Sequence, residues 1–261
     1  MRTRYEAMVD GIPLSSVDPA ILIADIQETE PDVRRQTANY PTLDGQRVLR
    51  TVRQSLRVTV LFEIHTQDVR RRADICERVV RWAQGRFLAV NYRPEQRLRV
   101  ICETPPAVTS TLSWTQRLKV VFAAYAVPFW EDARSTRLTV MRDAWASCHI
   151  GGTAKETLVE ATVQNTGGAP VTSLTVAAGT AADTLTTLSF YGFIIPAGGS
   201  LVIAYDDARV LSATVAGGSV LAKRTQTSSD DLVVPCGARS IFGCSADGAI
   251  KTTFSFRGWY L

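Results

Sequence analysis

The sequence predicts a mainly β protein with one principal α-helix, arranged as two domains. Three observations predict it. Apolar and polar residues alternate with period two through much of the first half, as they do along a strand with one buried face. One stretch, residues 66–85, instead carries apolar residues at three- and four-residue spacing, the helical period. From about Thr136 onward, short runs of Val, Leu, Ile, Thr and Phe are separated by Gly- and Asn-rich turns, the pattern of a β-sandwich or jelly roll.

The elements follow in order. Tyr5 to Ser16 reads as a hairpin around Asp10-Gly11, a two-residue turn signal. Asp44-Gly45 marks a second turn. Arg47 to His65 then reads as one long strand, with Val48, Val52, Leu56, Val58, Val60, Phe62 and Ile64 on the core face. Arg50 and Gln54 break that face, so a bulge or bend is expected near 50–54. In the helix, Thr66 is expected as N-cap, Asp68 in the first turn and Gly85 at the stop. Val69, Ala73, Cys76, Val79, Val80 and Ala83 form its apolar stripe.

Phe87–Tyr92 and Arg97–Glu103 are short strands, and Leu112–Ala126 is a longer amphipathic one. Pro128-Phe129-Trp130-Glu131-Asp132 breaks the pattern and is the candidate seam, giving domains of residues 1–132 and 133–261. In the second, strands are expected near 157–164, 171–178, 183–190, 200–205, 209–215, 230–234, 238–244 and 249–257.

Composition bounds the function. With 46% hydrophobic and 21% charged residues in 261, the chain is globular rather than disordered. No apolar run approaches the roughly 20 residues of a membrane span, and the first residues lack a signal-peptide core, so assembly in a cytosol is expected. The net charge of +4 conceals an asymmetry. Residues 1–142 hold 22 Lys+Arg against 16 Asp+Glu, and residues 143–261 hold 7 against 9. The second part is also rich in Ser and Thr, 26 of 119 residues. Twenty-five of the 29 basic residues are Arg. They are interleaved with acidic residues and lack an aromatic–basic module, so protein contacts explain them better than nucleic-acid binding.

Catalytic chemistry is absent from the pattern. Walker A, H-E-x-x-H, G-x-S-x-G, G-x-G-x-x-G and EF-hand spacings do not occur. His65 sits on the polar face of the long strand and reads as a solvated or interface residue. Cys148, His149, Cys236 and Cys244 lack zinc-site spacing, and the odd number of cysteines is expected to stay reduced. Tyr205-Asp206-Asp207 reads as a strand end followed by a polar turn. No catalytic, metal or cofactor residue is expected.

The order of parts resembles the distal tail (Dit-like) proteins of long-tailed, non-contractile bacteriophages. The matching features are the strand-rich start, the Arg47–His65 strand, and the helix Asp68-Val-Arg-Arg-Arg-Ala-Asp-Ile-Cys-Glu-Arg-Val-Val-Arg-Trp82. They continue in the junction Phe122-Ala-Ala-Tyr-Ala-Val-Pro128-Phe-Trp130 and in the ending Phe254-Ser-Phe-Arg-Gly-Trp-Tyr-Leu261. The resemblance implies a tail-tube-like β-barrel or sandwich with a flanking helix, then a galectin-like β-sandwich. It implies a homohexameric ring in the virion tail tip that joins the tail tube protein to the tail-tip hub and scaffolds receptor-binding proteins. It implies no enzyme activity, no cofactor and no membrane, with DNA only passing through the lumen.

A closed ring needs heterologous contacts. Arg53, Arg57, Glu63 and His65 on the polar face of the long strand are the candidate ring interface. Glu28, Glu30 and Asp32 are the candidate lumen residues, repelling phosphate. Two alternatives stand beside this reading. One is a tube or hub component of a contractile tail. The other is a carbohydrate-binding, lectin-like protein. Against the latter, the second half has only His149 and two tryptophans, Trp145 near the seam and Trp259 near the C-terminus.

Overall fold

A computed structural model describes residues 5–29, 33–39, 46–107, 115–181 and 184–261. The chain divides into two compact units, residues 1–130 and 131–261.

The first unit opens with β1 (Ala7–Val9) and β2 (Ile12–Pro13). They pair as a tight hairpin, Val9 opposite Ile12. Asp10 and Gly11 both take positive φ, 50° and 80°, the geometry for which the Asp-Gly pair is suited. β3 (Ile21–Thr29), β4 (Val33–Asn39), β5 (Gln46–Arg53) and β6 (Leu56–His65) follow. β4 and β5 form their own antiparallel pair, while the Asp44-Gly45 turn lies outside the described residues. The expected single strand over 47–65 is therefore two, and the break at Gln54-Ser55 sends them to different sheets. The core-face reading of Val48 and Val52 also lies outside the described side chains.

The one α-helix of the described residues, α1, spans Val69–Ala83. Its N-cap is Asp68, not Thr66. The Asp68 carboxylate accepts from the N–H groups of Arg70 and Arg71, and Thr66 Oγ1 accepts from the N–H of Asp68. A carboxylate at this point also meets the positive end of the helix dipole, which a hydroxyl does not exploit. The buried stripe is Arg72, Ile75, Cys76, Val79, Trp82 and Ala83, so Arg72, Ile75 and Trp82 replace the expected Val69, Ala73 and Val80. Gly85 is required by close approach: a Cβ there would lie 2.3 Å from Val9 Cγ1.

β7 (Phe87–Val90), β8 (Gln96–Arg99), β9 (Ile101–Thr104) and β10 (Thr115–Ala124) complete the sheets. The strand expected over 97–103 is split at Val100, whose side chain is buried and whose N–H bonds Arg86 instead. One antiparallel sheet runs β3-β6-β10-β9, and β2, β1, β7 and β8 follow one another in a second. These sheets are open. Of the barrel-or-sandwich expectation, the open sheet holds: among the described residues β3 and β9 are the edges of the first sheet, and no strand pairs them to close a barrel. Val58, Val60, Phe62 and Ile64 of β6 face the core at 0% exposure, with Val120 and Phe122 of β10 beside them. β11 (Trp130–Asp132) runs across the boundary between the units.

The second unit contains β12 (Thr136–Met141), β13 (Trp145–His149), β14 (Glu156–Asn165), β15 (Val171–Gly179), β16 (Thr186–Ile195) and β17 (Ser200–Tyr205). It continues with β18 (Leu211–Val215), β19 (Gly218–Ser219), β20 (Val233–Pro235), β21 (Arg239–Ala246), β22 (Ile250–Phe256) and β23 (Trp259–Tyr260). One sheet runs β12-β22-β14-β17-β18-β19, with β20 paired to β14, and the other runs β13-β21-β15-β16. Their inner faces share one core that includes Val159, Val163, Val176, Phe190, Ile203, Phe242 and Phe254. This is a β-sandwich, held by apolar burial between two sheets. Tyr205-Asp206-Asp207 is a strand end and turn: Asp206 Oδ1 accepts from the N–H groups of Ala208 and Val210.

Candidate assembly interface

β6 is the centre of the candidate interface. Its alternate residues Arg57, Glu63 and His65 fall on the face opposite the core. Register with β10 sets Arg117 across from Glu63. The Arg117 guanidinium donates to Glu63 Oε1 from Nε at 3.0 Å and lies 2.9 Å away through Nη2. His65 Nε2 lies 3.4 Å from the same carboxylate. At the other end of β6, Arg57 Nη2 donates to Glu103 Oε1 at 2.9 Å, and Tyr125 Oη donates to that oxygen at 3.0 Å. The Arg57 and Tyr125 hydrogen bonds hold the Glu103 carboxyl below its usual range. The two clusters are about 20 Å apart along the strand.

Exposed ion pairs of this kind add little to stability. They arrange charge on a surface, which decides orientation and partner choice. Arg53 does not join them. It ends β5, in the separate β4–β5 pair, so the break at Gln54-Ser55 removes it from the wall. Glu103, Arg117 and Tyr125 were missed by sequence reasoning, because only strand register brings them beside β6.

Of the candidate lumen residues, Glu30 and Asp32 lie outside the described residues. Glu28, near the end of β3, is tied into the first unit. Its carboxylate accepts from Tyr92 Oη at 2.8 Å, Arg93 Nε and Nη2 at 3.2 Å, and Trp130 Nε1 at 3.0 Å. Arg93 also stacks over the Trp130 ring at 5.2 Å. Burial, and then the Glu28 carboxylate, push the Tyr92 phenol well above its usual value. Trp130 is fully buried, so the seam aromatic is a core residue of the first unit.

All five cysteines are free thiols. Burial raises the pKa of Cys76, Cys102, Cys236 and Cys244, which keeps them protonated and poorly nucleophilic. Among the described residues, no cluster of His, Cys, Asp and Glu has the arrangement to hold a metal ion. No helix among them is long and apolar enough to cross a membrane.

No family model matches the chain. No curated protein matches it either. Among solved structures, the chain is similar to the SPP1 Dit protein (gp 19.1), described as a paradigm of the hub adsorption apparatus in phages that infect Gram-positive bacteria. Identity is 13%, the TM-score is 0.71, and the match covers 99% of this chain and 100% of that one. Two chains from the phage p2 baseplate in its activated conformation, one with Sr and one with Ca, match at 9% identity, with TM-scores of 0.49 and 0.45. Those matches cover 97% of both chains and 99% and 98%, respectively. The chain shares the fold of the SPP1 protein along its whole length.

Proposed function

We propose that this chain is a non-enzymatic structural protein of a phage tail tip, built into a hub at the distal end of the tail. The single observation that carries this reading is the end-to-end fold match to the SPP1 Dit protein, which spans both units. The absence of catalytic sequence patterns agrees with it.

In this reading six copies close into a ring that joins the tail tube protein to the tail-tip hub. Residues 1–132 form the ring domain, related to the tail tube. Residues 133–261 form the outer, galectin-like domain that scaffolds receptor-binding proteins. Assembly takes place in the host cytoplasm. The charged face of β6, with Arg57, Glu63 and His65, contributes one wall of the contact between copies. Arg53 contributes from the neighbouring hairpin. Of the acidic stretch Glu28, Glu30 and Asp32 assigned to the lumen, Glu28 has its charge engaged within the first unit by Arg93, Tyr92 and Trp130 and so contributes little repulsion to passing DNA.

Native mass spectrometry with negative-stain imaging tests this. The expected result is a ring of six 28.6 kDa chains, alone or on adding tube or hub protein. A chain that stays monomeric with both partners present overturns the ring.

A further inference from the structure

Several unfavourable features meet at one side chain of the second unit. Arg209 lies in the turn between β17 and β18, where its N–H donates to Asp206 O at 3.0 Å. Its φ is 64°, a left-handed value uncommon for a residue with a side chain. Its guanidinium lies over the Trp259 ring, 4.5 Å from the centroid. There Nε and Nη2 are shut off from water and have no hydrogen-bond acceptor. Burial pulls the pKa of Arg209 below its usual value, and the Glu156 and Asp231 carboxylates act against that pull. Among the described residues of this unit the ion pairs are Arg142 with Asp143 and Arg224 with Asp230, so neither Glu156 nor Asp231 is in one. Burial, and then Asp230, raise the pKa of Asp231. Arg209 and Asp231 are thus both poorly solvated ions that would gain by pairing. Arg209 has two alternative partners: the aromatic ring it covers, and the carboxylates whose charge it feels.

The ring it covers belongs to a segment that holds the start of the unit. Trp259 is buried, and residues 257–261 are tied down mainly through the main chain. The Asp132 N–H donates to Gly258 O at 3.0 Å, and the Gly258 N–H donates to Asp132 Oδ2 at 2.8 Å. Arg257 Nη1 donates to Asp132 O at 2.6 Å. The N–H groups of Thr153 and Ala154 both donate to Trp259 O, at 2.8 and 3.0 Å. Glycine is required at 152 by this approach, since a Cβ there would lie 2.3 Å from Trp259 O. Asp132 ends β11, so whatever frees Trp259 also loosens the boundary strand.

We propose that Arg209 is a two-position catch on this strap. Over Trp259 it holds residues 257–261, and through them Asp132. Turned to Asp231 and Glu156, it satisfies its donors and leaves Trp259 uncovered, so the strap opens. The left-handed backbone and the unmet donors destabilise the closed position, which brings the two positions close in free energy. A guanidinium that served only as a fixed support would have acceptors for its buried donors. The proposal concerns the second unit alone and is independent of ring formation.

The test is hydrogen–deuterium exchange of the full-length chain at pH 7. Mass spectrometry reads peptides covering residues 130–132, 152–154 and 257–261, with a peptide from β15 as the reference. Arg209→Ala is expected to raise exchange in the three peptides about threefold relative to β15, the loss of one cation–ring contact. Asp231→Asn combined with Glu156→Gln removes the open position and is expected to lower exchange about threefold. Asp230→Asn, the same change of charge at the neighbouring exposed carboxylate, should leave it unaltered. The opposite signs separate a catch from a fixed support. Acid variants that exchange at the same rate or faster overturn the proposal, as does an equal slowing by Asp230→Asn. So does an Arg209→Ala chain whose three peptides are unchanged or move together with β15. Should Arg209→Ala fail to fold by circular dichroism, the sign of the acid double variant decides.

Discussion

The two units are both β-rich, yet their surfaces follow different rules. In residues 1–130 opposite charges are paired between elements: Arg57 with Glu103 and Arg117 with Glu63 between strands, Arg93 with Glu28, and Arg78 and Arg71 of α1 with Asp18. In residues 131–261 the ion pairs join residues close in sequence, Arg142 with Asp143 and Arg224 with Asp230, and Ser and Thr hydroxyls bond one another or the backbone, as in Thr175 with Ser189. Both units are held by burial of apolar side chains. The difference therefore concerns the surface. A charge-patterned face constrains orientation and partner choice, while a hydroxyl-rich surface carries fewer fixed charges.

The largest effects should come from the cores. Phe242 is fully buried and packs on Phe254 and Phe256, each ring centroid 5.2 Å away. Phe242→Ala is expected to cost about 3–5 kcal/mol. Trp130→Ala should cost a similar amount in the first unit and also remove a donor to Glu28. Urea unfolding followed by circular dichroism should show each loss in its own transition. A common shift would mean that the units do not unfold separately.

Asp18 comes next. Burial acts to raise its pKa, but the Ala20 N–H and the Arg78 and Arg71 guanidiniums outweigh it and hold the carboxyl below its usual value. Its stabilising contribution is therefore present above pH about 4 and is lost as pH falls through the lowered pKa. Asp18→Ala is expected to cost about 1.5–3 kcal/mol at pH 7. Asp18→Asn should flatten the acid limb of the first unit's stability curve. The second unit should respond less to acid. There the Thr172 hydroxyl bond lowers Asp247, while burial and Asp230 raise Asp231, and these two contributions have opposite signs.

Gly85→Ala should cost about 1–3 kcal/mol, because its methyl would collide with Val9 and Asp10. Smallest in stability is Arg57→Glu. Its unfolding midpoint should match that of the unsubstituted chain, while ring formation falls in native mass spectra. Loss of folding instead would show that the charged face is structural.

Much of the fold was legible locally. Asp10-Gly11 announced its hairpin because only a few residue types accept positive φ at two successive positions. Eight of the second unit's strands appeared close to their observed positions because period two is a property of each strand alone, while β12, β13, β19 and β23 were not anticipated. The break at Gln54-Ser55 was only half legible: it showed as a disturbed alternation, but which sheet each piece joined did not. The helix cap was shifted by two residues because Thr66 and Asp68 are both good caps. The interface partners Glu103, Arg117 and Tyr125 carried no signal, since each is an ordinary polar residue until a neighbouring strand sets its register.

The sequence by itself determined the mainly β character, the single principal helix, the contrast in charge and the division near Pro128–Asp132, because these follow from short-range periodicity and composition. The tertiary structure decided that Arg53 leaves the β6 wall, that Glu28 is occupied by Tyr92, Arg93 and Trp130, and that Trp145 lies flat on Gly243. These are contacts between strands far apart in the chain. Their pairing is chosen by which apolar faces can be buried together, and no local pattern records that choice.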